Sequence, residues 1–430
     1  MLASFWSNIA VAQVEIEITR GSRQALPIAI SNFEGNDPSS DQIGRDIGDV
    51  IRNNLRRSGL FVSINPQIYP QQPHEISTSP DFQSWRGTRA HALAAGKSMF
   101  TDDGRLRIEF RLWDVAEQAQ IEGLAYSTVP SNWRRIAHII TDAIYERLIG
   151  EPGFFDSRIV YVAETGSSTN RVKRLAIMDQ DGANQRYLTD GNHLVLTPRF
   201  SPTSQEITYL SYVGGTPRVF LYNLNTGQQE ILGDFPGMTF APRFSPNGNE
   251  VLMSLANGGN TDVYVMDLRS RQLRQLTTNP AIDTSPSYAP DSRKIVFNSD
   301  RGGSQQLYVM NSDGSGVQRI SFGEGLYATP VWSPDGRWVA FTRILDGRFA
   351  IGIMRPDGTD EKILTEAFLV EGPTWSPNGR MLAYFGQEPS GGNDEAGRAT
   401  LYMIDTFSFT EEVIPTPTDA SDPAWSPKNP

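Results

Sequence analysis

Pro330-Val331-Trp332-Ser333-Pro334 is one of six copies of a short phrase in the second half of the chain: Pro, any residue, an aromatic residue, Ser or Ala, then Pro. The copies begin at Pro198, Pro242, Pro286, Pro330, Pro373 and Pro423, with steps of 44, 44, 44, 43 and 50 residues. Apolar runs such as Ile295-Val296-Phe297 follow the copies. A period in the forties with such runs is typical of a β-propeller with four strands per blade.

The sixth copy is followed only by Lys428-Asn429-Pro430, so the next strand of its blade is missing there. A matching apolar run, residues 158–162, opens the repeat region with no phrase before it. We predict that this run completes the sixth blade, because an open ring would leave strand edges unpaired. The sequence therefore predicts an all-β six-bladed propeller over residues 158–430, closed by pairing of its N- and C-terminal strands.

Inside each blade, the phrase predicts the innermost strand, and a turn such as Pro334-Asp335-Gly336 leads to the second strand. Asp179-Gln180-Asp181-Gly182 resembles part of a calcium loop, but the acidic residue expected at its far end is missing. We interpret it as a hairpin turn. The repeated aromatic residues of the phrase are expected to pack between blades.

Residues 22–150 predict a smaller α/β domain in front of the propeller. Strands are expected over 26–30, 105–115 and 124–129, and helices over 43–58 and 131–148, with Ser131 as the N-cap of the second helix. Gly150-Glu151-Pro152-Gly153 marks the boundary, and residues 151–157 are expected to be a linker. Residues 1–12 end in Ala10-Val11-Ala12, which predicts a residual signal peptide; a disordered leader is the alternative.

Composition argues against several functions. The net charge is −11, of which residues 1–150 carry −2 (15 Lys and Arg against 17 Asp and Glu) and residues 151–430 carry −9 (23 against 32). Nucleic-acid binding is disfavoured, because phosphate contacts need a basic face. No segment is apolar over the length that membrane insertion requires.

No catalytic, cofactor-binding or metal-binding residue is predicted. There is no cysteine, and the four histidines have no partner at metal-ligand spacing. Gly-x-Ser-x-Gly and phosphate-loop motifs are also missing. The chain is therefore predicted not to be an enzyme. Two other functions stay open: a secreted propeller that binds a carbohydrate or small ligand in its channel, and a propeller hydrolase.

The combination of Thr19-Arg20-Gly21, LPIAI at 26–30, a small α/β domain and six phrases resembles the TolB family, the periplasmic propellers of the Tol-Pal system of Gram-negative bacteria. The resemblance implies a monomeric, non-enzymatic periplasmic protein that links inner-membrane Tol proteins to the outer-membrane lipoprotein Pal. It implies a role in envelope integrity and in outer-membrane constriction during division. Some colicins are expected to imitate the Pal contact.

The resemblance also implies two binding sites. TolA would engage residues 13–21, where the named positions are Val14, Glu15, Ile16, Glu17, Ile18 and Thr19. Pal would dock on one end of the propeller channel, with family positions carried over most directly to Met238, Ala241 and Thr284.

The six loops that lead into the innermost strands converge around the channel at one face, and we call them the mouth. Apolar residues exposed on such loops indicate an interface, and simple turn-filling is the alternative for any one residue. The predicted Pal-binding residues are His193, Met238, Ala241, Thr284, Ser285, Leu326, Tyr327, Thr329, Leu369 and Glu371.

Overall fold

The structure is a computed structural model that describes residues 25–167, 169–233, 235, 239–390 and 397–430, with only the backbone described for 239–241. The chain divides into two compact units between Gly153 and Phe154. The predicted TolA-binding segment and Met238 lie outside the described residues, and so does the side chain of Ala241.

The first unit is an α/β domain built on a mixed sheet. Its strand order is β3-β1-β4-β5-β6, and β2 pairs with β4. β1 is parallel to both of its neighbours, whereas β4, β5 and β6 form an antiparallel meander. The elements are β1 (Leu26–Ile30), β2 (Glu34–Gly35), α1 (Pro38–Arg57), β3 (Phe61–Ser63), α2 (Pro73–Thr78), α3 (Phe82–Gly87), β4 (Ala92–Phe100), β5 (Leu106–Asp114), β6 (Ala119–Thr128) and α4 (Trp133–Ile149).

Two helix starts differ from the prediction. Helix α1 begins five residues earlier than expected, because Asp37 caps it by accepting hydrogen bonds from the N–H groups of Ser39 and Ser40. Ser131 is not the N-cap of α4. Residues Pro130–Asn132 form a 3₁₀ turn, and Asn132 occupies the cap position without a side-chain hydrogen bond. The predicted N-cap at Ser131 is therefore wrong.

The second unit consists of six four-stranded antiparallel sheets, which confirms the predicted six-bladed propeller. Blade 1 is β10–β13, blade 2 is β14–β17, blade 3 is β18–β21, blade 4 is β22–β25, blade 5 is β26–β29, and blade 6 is β30 with β7–β9. The bounds are β7 (Arg158–Thr165), β8 (Val172–Asp179), β9 (Arg186–Tyr187), β10 (Val195–Phe200), β11 (Glu206–Ser211), β12 (Arg218–Asn223), β13 (Gln229–Gly233), β14 (Thr239–Phe244), β15 (Glu250–Asn257), β16 (Asn260–Asp267), β17 (Leu273–Gln275), β18 (Asp283–Tyr288), β19 (Lys294–Ser299), β20 (Gln306–Asn311), β21 (Gln318–Arg319), β22 (Leu326–Trp332), β23 (Val339–Leu345), β24 (Arg348–Met354), β25 (Lys362–Ala367), β26 (Leu369–Trp375), β27 (Met381–Gln387), β28 (Ala399–Asp405), β29 (Glu411–Ile414) and β30 (Asp419–Trp425).

Blade 6 closes the ring as the sequence predicts. β30 pairs antiparallel with β7, with Ala420 opposite Ala163 and Trp425 opposite Ile159. The innermost strand of this blade thus comes from the C-terminal end of the chain, and its other three strands come from the start of the unit.

The phrase aromatics pack between blades. The indole nitrogen of Trp375 in blade 5 donates a 3.0 Å hydrogen bond to the carbonyl of Val331 in blade 4. Trp332 in blade 4 belongs to a core cluster that includes Ala289 and Val296 of blade 3. The Asp179–Gly182 segment is the turn between β8 and β9, with Gly182 at φ +88°.

Part of the expected linker at 151–157 is packed structure. Phe154 and Phe155 are almost fully buried, and the ring of Phe154 meets that of Trp425 edge to face at 5.8 Å. Asp156 accepts a hydrogen bond from the side chain of Asn429. The propeller core therefore begins at Phe154, four residues before the predicted start of the propeller at residue 158.

Candidate functional site

The mouth is formed at one face because every blade has the same connectivity. Each innermost strand is entered from the outermost strand of the preceding blade, and the loop after it leads to the second strand at the opposite face. The six entering loops therefore lie side by side around the channel. Their strands are β10, β14, β18, β22, β26 and β30.

A β-bulge occurs at the same point of all six innermost strands. The pairing register shifts around the residue before the phrase proline in each strand. Proline has no N–H for a sheet hydrogen bond, so a bulge is where a strand can accommodate it. Bulges also redirect neighbouring side chains and occur often beside binding sites.

The residue before the phrase proline has a left-handed backbone in five blades. These pre-proline residues are Thr197 (φ +48°), Ser285 (+54°), Thr329 (+47°), Gly372 (+70°) and Asp422 (+48°). A residue before proline normally prefers an extended backbone. A left-handed residue other than glycine costs about 1–3 kcal/mol, and such strain is concentrated at functional sites. The mouth thus combines a ring of bulges with a ring of strained residues.

Apolar side chains project from the rim of the mouth. Among the described residues, the one four positions before the phrase proline is exposed in three blades: Leu194 (42% exposed), Ile282 (49%) and Leu326 (40%). In blade 5 the equivalent Leu369 is half-buried. Phe322 and Phe368, on the loops into β22 and β26, are each more than half exposed. Exposed apolar groups grouped on one face indicate a surface that binds another molecule.

Several predicted site residues line the inner wall of the mouth. Thr284 accepts a 2.6 Å hydrogen bond from the side chain of Asn298, and the hydroxyls of Thr329 and Thr342 lie 2.8 Å apart. Ser285 is half-buried, and His193 is exposed at the rim of blade 1. The hydrogen bonds of Thr284 and Thr329 each link the innermost strand of a blade to the second strand of the same blade.

Tyr327 is not an exposed interface residue. It is completely buried, its ring packs against Phe341 at 5.2 Å, and its hydroxyl donates to the carboxylate of Glu361 at 2.9 Å. Burial is the main cause that raises its pKa to about 12, with the Glu361 hydrogen bond second. The expected exposure of Tyr327 is therefore wrong, because successive side chains of β22 point to opposite faces and Leu326 takes the outer one.

Two other residues of the mouth loops are also internal. Asp283 is fully buried and forms a 2.8 Å ion pair with Arg301, and Ser421 is buried with its hydroxyl donating to Glu164. These polar groups therefore form contacts inside their own blades and are not available on the surface of the mouth.

Glu371 and Asp422 bring negative charge to the wall between blades 5 and 6. Both are half-buried. Burial raises the pKa of Glu371, and the nearby carboxylate of Asp422 raises it further. The backbone N–H of Thr197 in blade 1 donates to Asp422 at 3.4 Å. One side of the mouth is thus acidic.

Sequence reasoning missed Ile282, Phe322 and Phe368. Ile282 was detectable, because the residues four positions before the phrase proline read Leu194, Met238, Ile282, Leu326, Leu369 and Asp419. Five of these six residues are apolar. No such period marks the two phenylalanines, whose exposure depends on the conformation of each loop.

Comparison with known proteins agrees with this architecture. The family model of the TolB amino-terminal domain matches residues 14–121, and that of the TolB beta propeller domain matches residues 145–429. The chain belongs to the TolB family. The Tol-Pal system protein TolB of Paramagnetospirillum magneticum is 63% identical over 421 residues, covering 97% of this chain and 94% of the relative.

Other TolB proteins agree. The protein of the same description from Pelagibacter ubique is 53% identical over 232 residues, covering 52% of each chain. The crystal structure of TolB from Acinetobacter baumannii superimposes with a TM-score of 0.83 at 30% identity, covering 94% of this chain and 98% of that one. The TolB fold assignment therefore holds over nearly the whole chain.

Within the part of the chain that the structure describes, no helix has both the length and the apolar character to cross a membrane.

Proposed function

We propose that this TolB-family protein is a non-enzymatic, monomeric binding protein of the periplasm that binds Pal through the mouth and TolA through residues 13–21. Through these contacts it supports outer-membrane integrity and constriction during division, and colicins that imitate Pal would use the same mouth. Membership of the TolB family supports the assignment of this protein to the Tol-Pal system. The exposed apolar residues on the rim support the proposal that Pal binds at the mouth.

The single observation that carries the Pal proposal is the grouping of Leu194, Ile282 and Leu326 at equivalent positions of different blades. Each would be desolvated by a partner that covers the mouth. A few apolar side chains that a partner desolvates carry much of the affinity of protein interfaces.

The bulges give this surface a defined shape. Backbone strain at Thr197, Ser285, Thr329 and Asp422 is retained by sheet pairing on both sides of each bulge. A surface held in one conformation loses little conformational entropy when it binds. The mouth is therefore suited to a folded partner such as Pal.

The TolA proposal rests on the sequence alone. Val14, Ile16 and Ile18 alternate with polar residues, so this segment can add as a strand to the sheet edge of a partner. Backbone hydrogen bonds would supply affinity, and the three apolar side chains would fill pockets on one face.

Calorimetric titration of the full chain with the soluble domain of Pal tests the mouth. Ile282→Asp and Leu326→Asp should each weaken binding by about 30-fold or more, because a charge would enter a desolvated contact. Ala241→Arg and Thr284→Arg should abolish binding with little change in melting temperature.

Phe409→Asp is the matched control. Phe409 is 47% exposed on the turn between β28 and β29, at the face opposite the mouth. The substitution should therefore leave the affinity for Pal unchanged. Unchanged affinity in all four mouth variants, or no binding of Pal by the parent chain, would refute the proposed Pal site.

A further inference from the structure

The residue after the phrase proline differs sharply between blades. Blades 3 to 6 carry the short residues Ser287, Val331, Thr374 and Ala424, whereas blades 1 and 2 carry Arg199 and Arg243. The two arginines stand on neighbouring innermost strands, β10 and β14. Of these six equivalent positions, the two on blades 1 and 2 therefore carry long basic side chains, and the four on blades 3 to 6 carry short uncharged ones.

This position lies against the innermost strand of the next blade. The hydroxyl of Ser287 accepts a 3.3 Å hydrogen bond from the N–H of Trp332, and that of Thr374 accepts a 3.1 Å hydrogen bond from the N–H of Trp425. Each partner is the phrase aromatic of the following blade. Side chains at this position therefore lie between the innermost strands of neighbouring blades, beside the channel.

An arginine cannot take over that accepting role. A guanidinium group has only donors. The N–H groups of Phe244 and Tyr288 occupy the positions equivalent to those of Trp332 and Trp425. In blades 1 and 2 the side chain at this position therefore offers no acceptor to the backbone N–H of the following blade.

The charges of the two arginines are poorly compensated. Arg199 donates to the carbonyl of Pro198 at 2.6 Å, and Asp422 is a nearby carboxylate that stabilises its charge. Arg243 makes no hydrogen bond or ion pair with any residue that the structure describes. The Nε atoms of both side chains are buried and have no hydrogen-bond partner among the residues that the structure describes.

Electrostatics agree with this geometry. Burial lowers the pKa of both guanidinium groups, and the pKa of Arg243 is lowered further by the positive charge of Arg199. A guanidinium keeps its proton in proteins, so the two like charges are held close together at a cost in free energy. Buried charges in proteins are normally paired, and an anion is the partner that would relieve both arginines.

We propose that Arg199 and Arg243 form a binding site for an oxyanion in the wall of the propeller channel, at the boundary of blades 1 and 2. Planar guanidinium forks bind carboxylate and phosphate oxygens with two parallel hydrogen bonds. Both residues are half-buried, so solvent reaches part of each.

Titration of the full chain with sodium phosphate and, separately, with sodium acetate tests the site. Chloride keeps the ionic strength constant, and binding is followed by calorimetry and by the melting temperature. The unsubstituted protein should bind at least one of the two anions saturably. Binding of phosphate alone identifies a free phosphate site, and binding of acetate identifies a carboxylate site.

Arg243→Met and Arg199→Met should each weaken anion binding tenfold or more. Arg337→Met, which removes an exposed arginine on the turn after β22, is the control and should leave binding unchanged. In chloride alone, Arg243→Met should melt no lower than the parent chain, because it removes an unpaired charge. The proposal is overturned if neither anion binds saturably, or if Arg243→Met binds as tightly as the parent chain.

Discussion

The indole nitrogen of Trp425 donates a 2.8 Å hydrogen bond to the hydroxyl of Ser157, a residue 268 positions earlier in the chain. Both groups are buried, and Phe154 packs against the same indole ring. This contact lies at the closure of the propeller, where β30 pairs with β7. The two ends of the propeller unit are therefore joined by side chains as well as by the sheet.

Truncating Trp425 should weaken this closure strongly. Trp425→Ala is expected to lower the free energy of unfolding by about 3–5 kcal/mol, because it opens a cavity in the core. Ser157→Ala should lower it by about 1–3 kcal/mol, since the buried indole N–H loses its acceptor. Denaturant unfolding measures both, with Phe409→Ala as an exposed aromatic control. A loss below about 0.5 kcal/mol for Trp425→Ala would contradict the role given to the contact.

Deleting residues 158–165 should make the protein aggregate. The deletion removes β7, which leaves the edges of β30 and β8 without partners. Size-exclusion chromatography measures the result. Joining the same eight residues after Pro430 through a short turn should restore a monomer, because blades 1 to 5 all join their first two strands in this way. A deletion variant that stays monomeric and folds cooperatively would disprove closure by β7.

Glu164 should make stability depend on acidity. Burial by itself would raise its pKa, but hydrogen bonds from Lys173 and Ser421, the charge of Lys173 and a hydrogen bond from Arg171 together lower the pKa below the ordinary value of 4.5. A carboxyl whose pKa is lower in the folded state stabilises the fold above its unfolded pKa. That stabilisation is lost as the pH falls through the folded pKa.

The free energy of unfolding of the parent chain should therefore drop more steeply than that of Glu164→Gln between about pH 5 and about pH 3. Urea unfolding across this range measures the difference between the two proteins. If the free energy of unfolding fell equally steeply with pH in both proteins, the contacts of Glu164 with Lys173 and Arg171 would not stabilise the fold.

Relieving backbone strain in the mouth should stabilise the protein. Thr197 is a β-branched residue at φ +48°, and its buried hydroxyl has no hydrogen-bond partner among the described residues. Thr197→Gly should raise the free energy of unfolding by up to about 1 kcal/mol, since relief of strain exceeds the entropy that glycine adds to the unfolded chain. Thr400→Gly, in the regular strand β28, should instead destabilise. Destabilisation of similar size at both positions would argue against strain at Thr197.

Removing residues 13–20 should separate the two proposed binding sites. The truncated chain should lose TolA binding, because the strand-forming residues Val14, Ile16 and Ile18 are gone. Its Pal affinity should stay within a few-fold of the intact chain or exceed it.

We propose that Pal at the mouth shifts this segment between docked and free states, with a coupling of about 1–3 kcal/mol. Titrations with each partner test this, and retained TolA binding would reject it.

The fold could be predicted well because each blade depends on local signals. The period of the phrase, the Pro-Asp-Gly turn at Pro334 and the apolar run after it all recur within one blade. Even the closure was predictable, because the run at residues 158–162 has no phrase of its own. By contrast, the N-cap of α4 depends on how Pro130 shapes the preceding turn, and the pattern of apolar residues does not report that.

The site was predictable only in its outline. Leu326 and Tyr327 are adjacent large side chains just before the phrase, and the sequence treats them alike. The structure exposes the first and buries the second against Phe341, because the pleat of β22 turns them to opposite faces. Equally, a left-handed pre-proline residue such as Thr329 opposes its own local preference, and only pairing with β23 on either side of the bulge holds it there.

The sequence by itself determined the number of blades, the strands that build them and the face at which the mouth forms, since these depend on spacing along the chain. Tertiary structure alone decided which mouth residues reach solvent, and it buried the Nε atoms of Arg199 and Arg243 without a hydrogen-bond partner among the described residues. The arginines occupy the same position of two consecutive copies of the phrase, so the spacing places them on neighbouring blades, but it does not report their burial or the lack of partners for their Nε atoms. Burial of this kind depends on the packing of blade 1 against blade 2, which spacing along the chain does not specify.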